Sequence, residues 1–330
     1  MSDLTRPTEG TRTPAALDPA IRAALAALAE EAHAYTQDLH AANTTRAYRA
    51  DWADFTAWCA AHQLTPLPAP PTTVALYLTD RAKTCKASTL ARRLCAIAGA
   101  HKEAGALSPT TDSTVRLILS GIRRAKGTKQ EGKVPTLTPE LRTMVEALPD
   151  TLLGRRDRAL LLLGFAGAFR RSELVALDVG DVEQKTEGLV VTLRRSKTDQ
   201  EGEGRKIGIP YGAYPLSCPV RALLTWTAAA GIAGGPLFRR FDRHGRLLPL
   251  RLSDKAVARI VQRRAAAVGL DPKKYGGHSL RAGLATAAAA AGKPERVIMQ
   301  QTGHKSIPMV RKYIREGDLF RENAAAGLGL

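Results

Sequence analysis

Between His278 and Tyr313 the chain reads H-S-L-R-A-G-L-A-T-A-A-A-A-A-G-K-P-E-R-V-I-M-Q-Q-T-G-H-K-S-I-P-M-V-R-K-Y, which brings two histidines, an arginine and a tyrosine into one short stretch. His278 and Arg281 stand three residues apart, so on a helix they share a face. The alanine run behind them favours helix until Gly292-Lys293-Pro294 interrupts it. A second helix is expected from Pro294, since proline suits the first helical position. It should close near Gly303, a C′ glycine that leaves His304 at the junction. Ser306 can then cap a third helix bearing Tyr313. A guanidinium, two imidazoles and a phenol on three short helices suit one reaction above others, attack by the tyrosine on a phosphodiester. The phosphodiester is an anion, so a nucleophile reaches it only where its charge is neutralised, and arginine does this with paired hydrogen bonds. A phenol titrates near 10 in water and needs a neighbouring base at neutral pH.

A second group of candidates lies upstream. Arg155 to Ala166 contains the apolar run L-L-L-L-G-F-A, which predicts a helix buried on all sides. It leads into Gly167-Ala168-Phe169-Arg170-Arg171-Ser172-Glu173, and a guanidinium at the end of a buried helix needs a partner. Glu173, three residues beyond Arg170, can supply it. The strongest β signal follows: Gly188 to Arg194 and Arg205 to Ile209 flank the polar turn S-K-T-D-Q-E-G-E-G, which predicts a hairpin with a mobile tip. Lys197 sits at the edge of that tip, where a long side chain reaches into a groove, although a loop lysine is ordinarily just solvated.

Composition narrows the partners. The 330 residues carry a net charge of +18, with 44% hydrophobic and 24% charged residues, a soluble globular balance with a strong preference for polyanions. The charge is uneven: 14 basic residues stand against 11 acidic in 1–125, but 32 against 19 in 138–330. The tighter phosphate contacts are therefore expected in the C-terminal part. No apolar run approaches transmembrane length, no basic-then-apolar leader opens the chain, and no membrane partner is expected. Cys59, Cys85, Cys95 and Cys218 show no paired spacing, so reduced intracellular thiols without a metal site are expected.

The elements that must position these groups fall into two units. Residues 1–16 read as a disordered leader. Residues 17–125 read as a bundle of helices: from Asp18-Pro19 to about His40, from Asn43 or Thr44, from about Thr72 to Lys83 behind a proline-rich loop, from Ser88, and from Asp112 or Ser113 to Lys126. Tyr48, Trp52 and Phe55 recur at helical intervals and read as core, while the basic helix ends can either hold phosphates or simply face solvent. Residues 126–137 read as a linker, 138–316 as a second, helix-rich unit with a small antiparallel sheet, and 317–330 as a tail. Within 138–316, helices are expected at about Glu140–Leu148, Pro219–Ala230 and Ser253–Val268, with a possible short hairpin at R-R-F-D-R-H-G-R.

In order, Arg170, Lys197, His278, Arg281, His304 and Tyr313 resemble the catalytic set of the tyrosine recombinase (phage-integrase-like) family. The pieces are G-A-F-R-R-S-E-L, a lysine in the β-hairpin, H-S-L-R and G-H-K-S-I-P-M-V-R-K-Y. The resemblance spans the second unit and, more weakly, the N-terminal bundle, which looks like the family's SAM-like core-binding domain. It implies a mainly α protein that recombines double-stranded DNA at a specific site through a 3′-phosphotyrosine, for integration, excision or resolution. By the same resemblance Arg170, Arg281 and His304 donate to the non-bridging oxygens and His278 assists proton transfer at Tyr313. Lys197, with Lys206 as alternate, protonates the departing 5′-oxygen, and Glu173 orients Arg170. No cofactor, metal or ATP is implied. A homotetramer on DNA, with the tail passing between neighbours, and a cytoplasmic location are. Phe169, Thr302 and Gly283 depart from the common pattern and are expected to alter packing. Two other readings stay open: a non-catalytic sequence-specific DNA-binding regulator, and relaxation of supercoils in the manner of type IB topoisomerases.

Overall fold

The computed structural model describes residues 18–37, 42–128, 132–194 and 204–317. The expected leader, part of the linker, Lys197 with the rest of the hairpin tip, and the tail beyond Gly317 lie outside the described residues. The chain divides into two compact units, Met1–Gln130 and Glu131–Leu330.

The first unit holds α1 (Pro19–Gln37), α2 (Ala42–Ala61), α3 (Pro71–Arg81), α4 (Ala87–Glu103) and α5 (Ser113–Lys126). Local signals account for most of the boundaries. The Asp18 carboxylate accepts from the Ala20 amide at 2.7 Å, and Asp112 caps α5 by accepting from Thr114. Ser88 is not a cap: α4 begins one residue earlier behind Lys86, and Asn43 lies inside the first turn of α2. The helices close on Phe55, Tyr77, Leu78, Leu90, Ile97 and Val115. Trp52 packs against that core partly buried, and Tyr48 is half-buried. Arg92 and Arg93 are spent internally, on Asp51 at 2.7 Å and Asp54 at 2.7 Å.

The second unit holds α6 (Thr138–Glu146), α7 (Leu152–Ala166), α8 (Arg171–Ala176), β1 (Val182–Lys185), β2 (Gly188–Leu193), β3 (Arg205–Pro210), α9 (Pro219–Ala229), β4 (Arg239–Phe241), β5 (Leu247–Arg251), α10 (Asp254–Ala267), α11 (Ser279–Ala290), α12 (Glu295–Thr302) and α13 (Ile307–Gly317). As its composition predicted, α7 is the buried axis: Leu160 to Leu163 are each at most 3% exposed, and α9 and α11 pack along it. Burying each leucine stabilises the unit by about 1.5–3 kcal/mol. β2 and β3 pair antiparallel as expected, with Leu189, Val191, Ile207 and Ile209 facing inward. β1, a mostly polar V-E-Q-K without strand alternation, was not legible; it is a strand because β2 supplies its hydrogen-bond partners. β4 and β5 form a separate two-stranded ribbon at the basic turn. Among the described residues no helix is long and apolar enough to cross a membrane.

Candidate active site

The site begins at α11. Arg281 is 1% exposed, and its Nη1 donates to the Ala168 carbonyl at 2.7 Å. That carbonyl is aimed by an unusual backbone: Ala168 has φ 49°, a left-handed conformation that costs a non-glycine residue about 1 kcal/mol or more. Arg281 can be buried so deeply because Gly283 lets the 132–137 segment cross α11. A Cβ on Gly283 would stand 1.8 Å from the Thr136 carbonyl oxygen, and Thr136 donates to the Ser279 carbonyl at 3.0 Å. Burial, then the neighbouring cation Arg170, pushes the Arg281 guanidinium down to about 10, so it remains charged at neutral pH.

Arg170 and Arg171 diverge. Arg171 pairs with Asp254 on α10 at 3.2 Å, on the surface. Arg170 turns inward and meets Glu173, which is 3% exposed, at 2.5 Å. The second Glu173 oxygen accepts the Arg170 backbone N–H at 2.9 Å. One carboxylate thus closes the first turn of α8 and fixes a guanidinium, a stronger arrangement than either bond alone.

α12 ends as the glycine signal predicted, with Gly303 left-handed at φ 65° and its N–H on the Met299 carbonyl. Pro294, by contrast, is the cap residue rather than the first helical one. A third arginine then enters from β3. Arg205 donates to the Gln300 and Gln301 carbonyls at 3.1 Å, covering the negative end of the helix. It lies so close to Gly303 that a Cβ there would be 2.6 Å from its Cζ. Burial holds the Arg205 guanidinium below its ordinary value. The turn delivers His304, whose Nε2 is 3.2 Å from Arg281 Nη2 and whose Nδ1 is 2.7 Å from the Thr302 hydroxyl. Burial, then the charges of Arg281, Arg170, His278 and Arg205, push this imidazole down to about 4.

α13 carries Tyr313 back over the cluster, held by a small core of Ala285, Ala289, Ile298 and Val310. The Tyr313 hydroxyl is 2.7 Å from Nε2 of His278, which caps α11 with near-helical dihedrals. The tyrosine ring lies 5.9 Å from that of His304.

Arg170, His278, Arg281, His304 and Tyr313 are therefore brought together, while Lys197 lies outside the described residues. Lys206 is exposed and shares its sheet face with Glu183, opposite the face on which Arg205 meets α12, so the pleat turns it away. Two participants are not among the residues that the sequence singles out for the site. Arg205 has the same strand parity as the inward Ile207 and Ile209, and a charge on the buried face of a strand is a signal that alternation can reveal. Thr302, expected only to alter packing, hydrogen-bonds to a site imidazole. Chemically, three guanidiniums and one acid around a phenol–imidazole pair favour an anion between the arginines, with the phenol oxygen facing it and a base at hand for its proton.

Comparison with known proteins places the chain in a family. The model of the phage integrase family matches residues 136–318. An integrase/recombinase XerD homologue of Selenomonas ruminantium is 45% identical over 286 residues, covering 86% of this chain and 84% of that protein. Among solved structures, the XerH site-specific recombinase in a post-cleavage complex with its palindromic difH substrate superposes with a TM-score of 0.56. The identity is 18%, over 77% of this chain and 73% of that one. A lambda integrase tetramer bound to a Holliday junction gives 0.55 at 16% identity, over 80% and 71%. The solved structures share the fold, and the sequence relatives carry the assignment: this chain is a member of the phage integrase family, the tyrosine recombinases.

Proposed function

We propose that this chain is a site-specific DNA recombinase that cuts and rejoins strands through Tyr313. The observation that carries the proposal is the 2.7 Å contact between the Tyr313 hydroxyl and His278 beside a buried Arg281–His304 pair. Tyr313 Oη attacks the scissile phosphorus while its proton passes to His278 Nε2. The P–O5′ bond breaks, the departing 5′-oxygen takes a proton from Lys197, and a 3′-phosphotyrosine remains. Arg170 and Arg281 hold the non-bridging oxygens, and their hydrogen bonds strengthen as charge builds in the pentacoordinate transition state. Glu173 keeps Arg170 in place. Attack by a different 5′-hydroxyl reverses these steps on a new strand, so the bond energy is conserved in the protein–DNA linkage.

In this reading residues 138–316 are the catalytic domain and 17–125 the core-binding domain. The working assembly is a homotetramer on two duplexes, supported by the lambda integrase tetramer on a Holliday junction. The test is adduct trapping. Sequencing DNA trapped on the denatured protein identifies the site, and a nicked suicide duplex carrying it should convert the wild type to a covalent adduct. Tyr313→Phe should form none; an adduct that survives that change overturns the assignment. Joining of two sites separates recombination from relaxation of supercoils alone.

A further inference from the structure

The contacts around His304 admit a single direction of hydrogen bonding. Arginine has donors and no acceptor, so His304 Nε2, 3.2 Å from Arg281 Nη2, must accept. The ring proton is then on Nδ1, and the Thr302 hydroxyl 2.7 Å away must accept it. That hydroxyl in turn donates to the Ile298 carbonyl at 2.7 Å, one helical turn back. Thr302 is fully buried, so no water competes for these positions. With its proton on Nδ1, a neutral His304 turns a lone pair toward any phosphate oxygen lying between it and Arg281. It can donate only after taking up a second proton at Nε2.

We infer that Thr302 is a positioning residue that keeps the Nδ1 proton of His304 in place, so that engagement of the scissile phosphate draws a proton from solvent onto Nε2. This rests on the reading of the site as a phosphodiester-cleaving centre. The groups facing the ring explain why the uptake waits for the phosphate. Arg281 from α11, Arg170 from the turn before α8 and Arg205 from β3 oppose a further positive charge, as does His278 at the start of α11 whenever it is itself protonated, while Lys305, next in the chain, is exposed. Tyr313 from α13 faces the ring as well, and Glu173 is engaged by Arg170. A phosphate oxygen between Arg281 and His304 reverses the balance, because it accepts from both. Once protonated, the ring still needs an acceptor for Nδ1–H, and the threonine hydroxyl is already oriented to be one.

The experiment is the pH profile of single-turnover cleavage of the suicide duplex at saturating DNA, between about pH 5.5 and 8.5, a range that spans histidine titration. Wild type should slow about tenfold per pH unit above the bound ring's titration point, as expected for one required proton. His278, which must be neutral to receive the phenolic proton, gives a limb of the opposite slope. In Thr302→Val the neutral ring is free to place its proton on Nε2, and the alkaline limb should vanish; Thr302→Ser should restore it. A limb unchanged in Thr302→Val, or absent from wild type, overturns the inference. Nitrogen NMR of imidazole-labelled wild-type protein without DNA gives a second arm that does not depend on how the variant folds. Its His304 signals should show Nδ1 protonated and Nε2 bare, and the opposite tautomer refutes the proposal. A wild type that forms no adduct counts against the enzyme reading alone, since the tautomer is still decided in the free protein.

Discussion

Replacing Glu173 by glutamine isolates the charge that balances three guanidiniums. Glu173 is 3% exposed and meets Arg170 at 2.5 Å, while its other oxygen takes the Arg170 amide at 2.9 Å. Glutamine keeps the shape and one acceptor, so the helix cap survives, but Arg170 loses its counter-charge in the same pocket as Arg281 and Arg205. Breaking a buried ion pair from one side costs about 3–5 kcal/mol, and the retained acceptor puts this case near 3 kcal/mol. For a unit the size of Glu131–Leu330, each kcal/mol shifts Tm by about 2–4 °C, which gives a loss of ~6–12 °C. Inorganic phosphate should recover more of that loss in Glu173→Gln than it adds to wild type, because the anion binds a cluster with one more unbalanced positive charge. Scanning calorimetry of both full-length proteins, with and without phosphate, measures both effects. A Tm change below about 2 °C, under 1 kcal/mol, with equal phosphate stabilisation in the two proteins, would refute the view that this carboxylate balances the site.

Two further outcomes follow from the same geometry. Gly283→Ala places a Cβ 1.8 Å from the Thr136 carbonyl, so the crossing segment must shift. Overpacking of this kind costs about 1–3 kcal/mol, which urea denaturation should register. Adduct formation should fall with it, because Arg281 lies two residues from the contact, on the helix that the segment covers. His304 is held down at about 4 in the fold against an ordinary 6.5, so the unfolded chain binds its proton first as pH falls. The free protein should therefore lose stability between about pH 6.5 and 4 through this ring, whose neutral form contributes fully only above that window. Denaturation midpoints of wild type and His304→Asn at pH 7 and 4.5 should show the larger acid loss in wild type; equal losses would place the ring in an ordinary aqueous environment.

Much of this architecture was legible because its determinants are local. An uninterrupted apolar run marked α7, two β-forming stretches around a polar turn marked β2 and β3, and helix ends were announced by Gly303 through its left-handed backbone and by Asp112 through its side-chain acceptor. The residue types between His278 and Tyr313 likewise suggested a phosphodiester chemistry, and the family resemblance added Arg170 to the set. Residue types alone did not reveal how those groups meet. The three-residue spacing did point Arg170 to Glu173, as observed, but nothing local sends Arg171 outward to Asp254. Nor does it reveal that Arg205 crosses from β3 to cover α12, or that Thr302 and Arg281 grip one imidazole from its two ends. Those outcomes depend on distances between segments far apart in the chain. Electrostatic energy and hydrogen bonding change steeply over a few ångströms in a buried space, so proton positions and mutual charge effects are settled by packing. Sequence supplied the candidate groups; tertiary structure decided which of them meet.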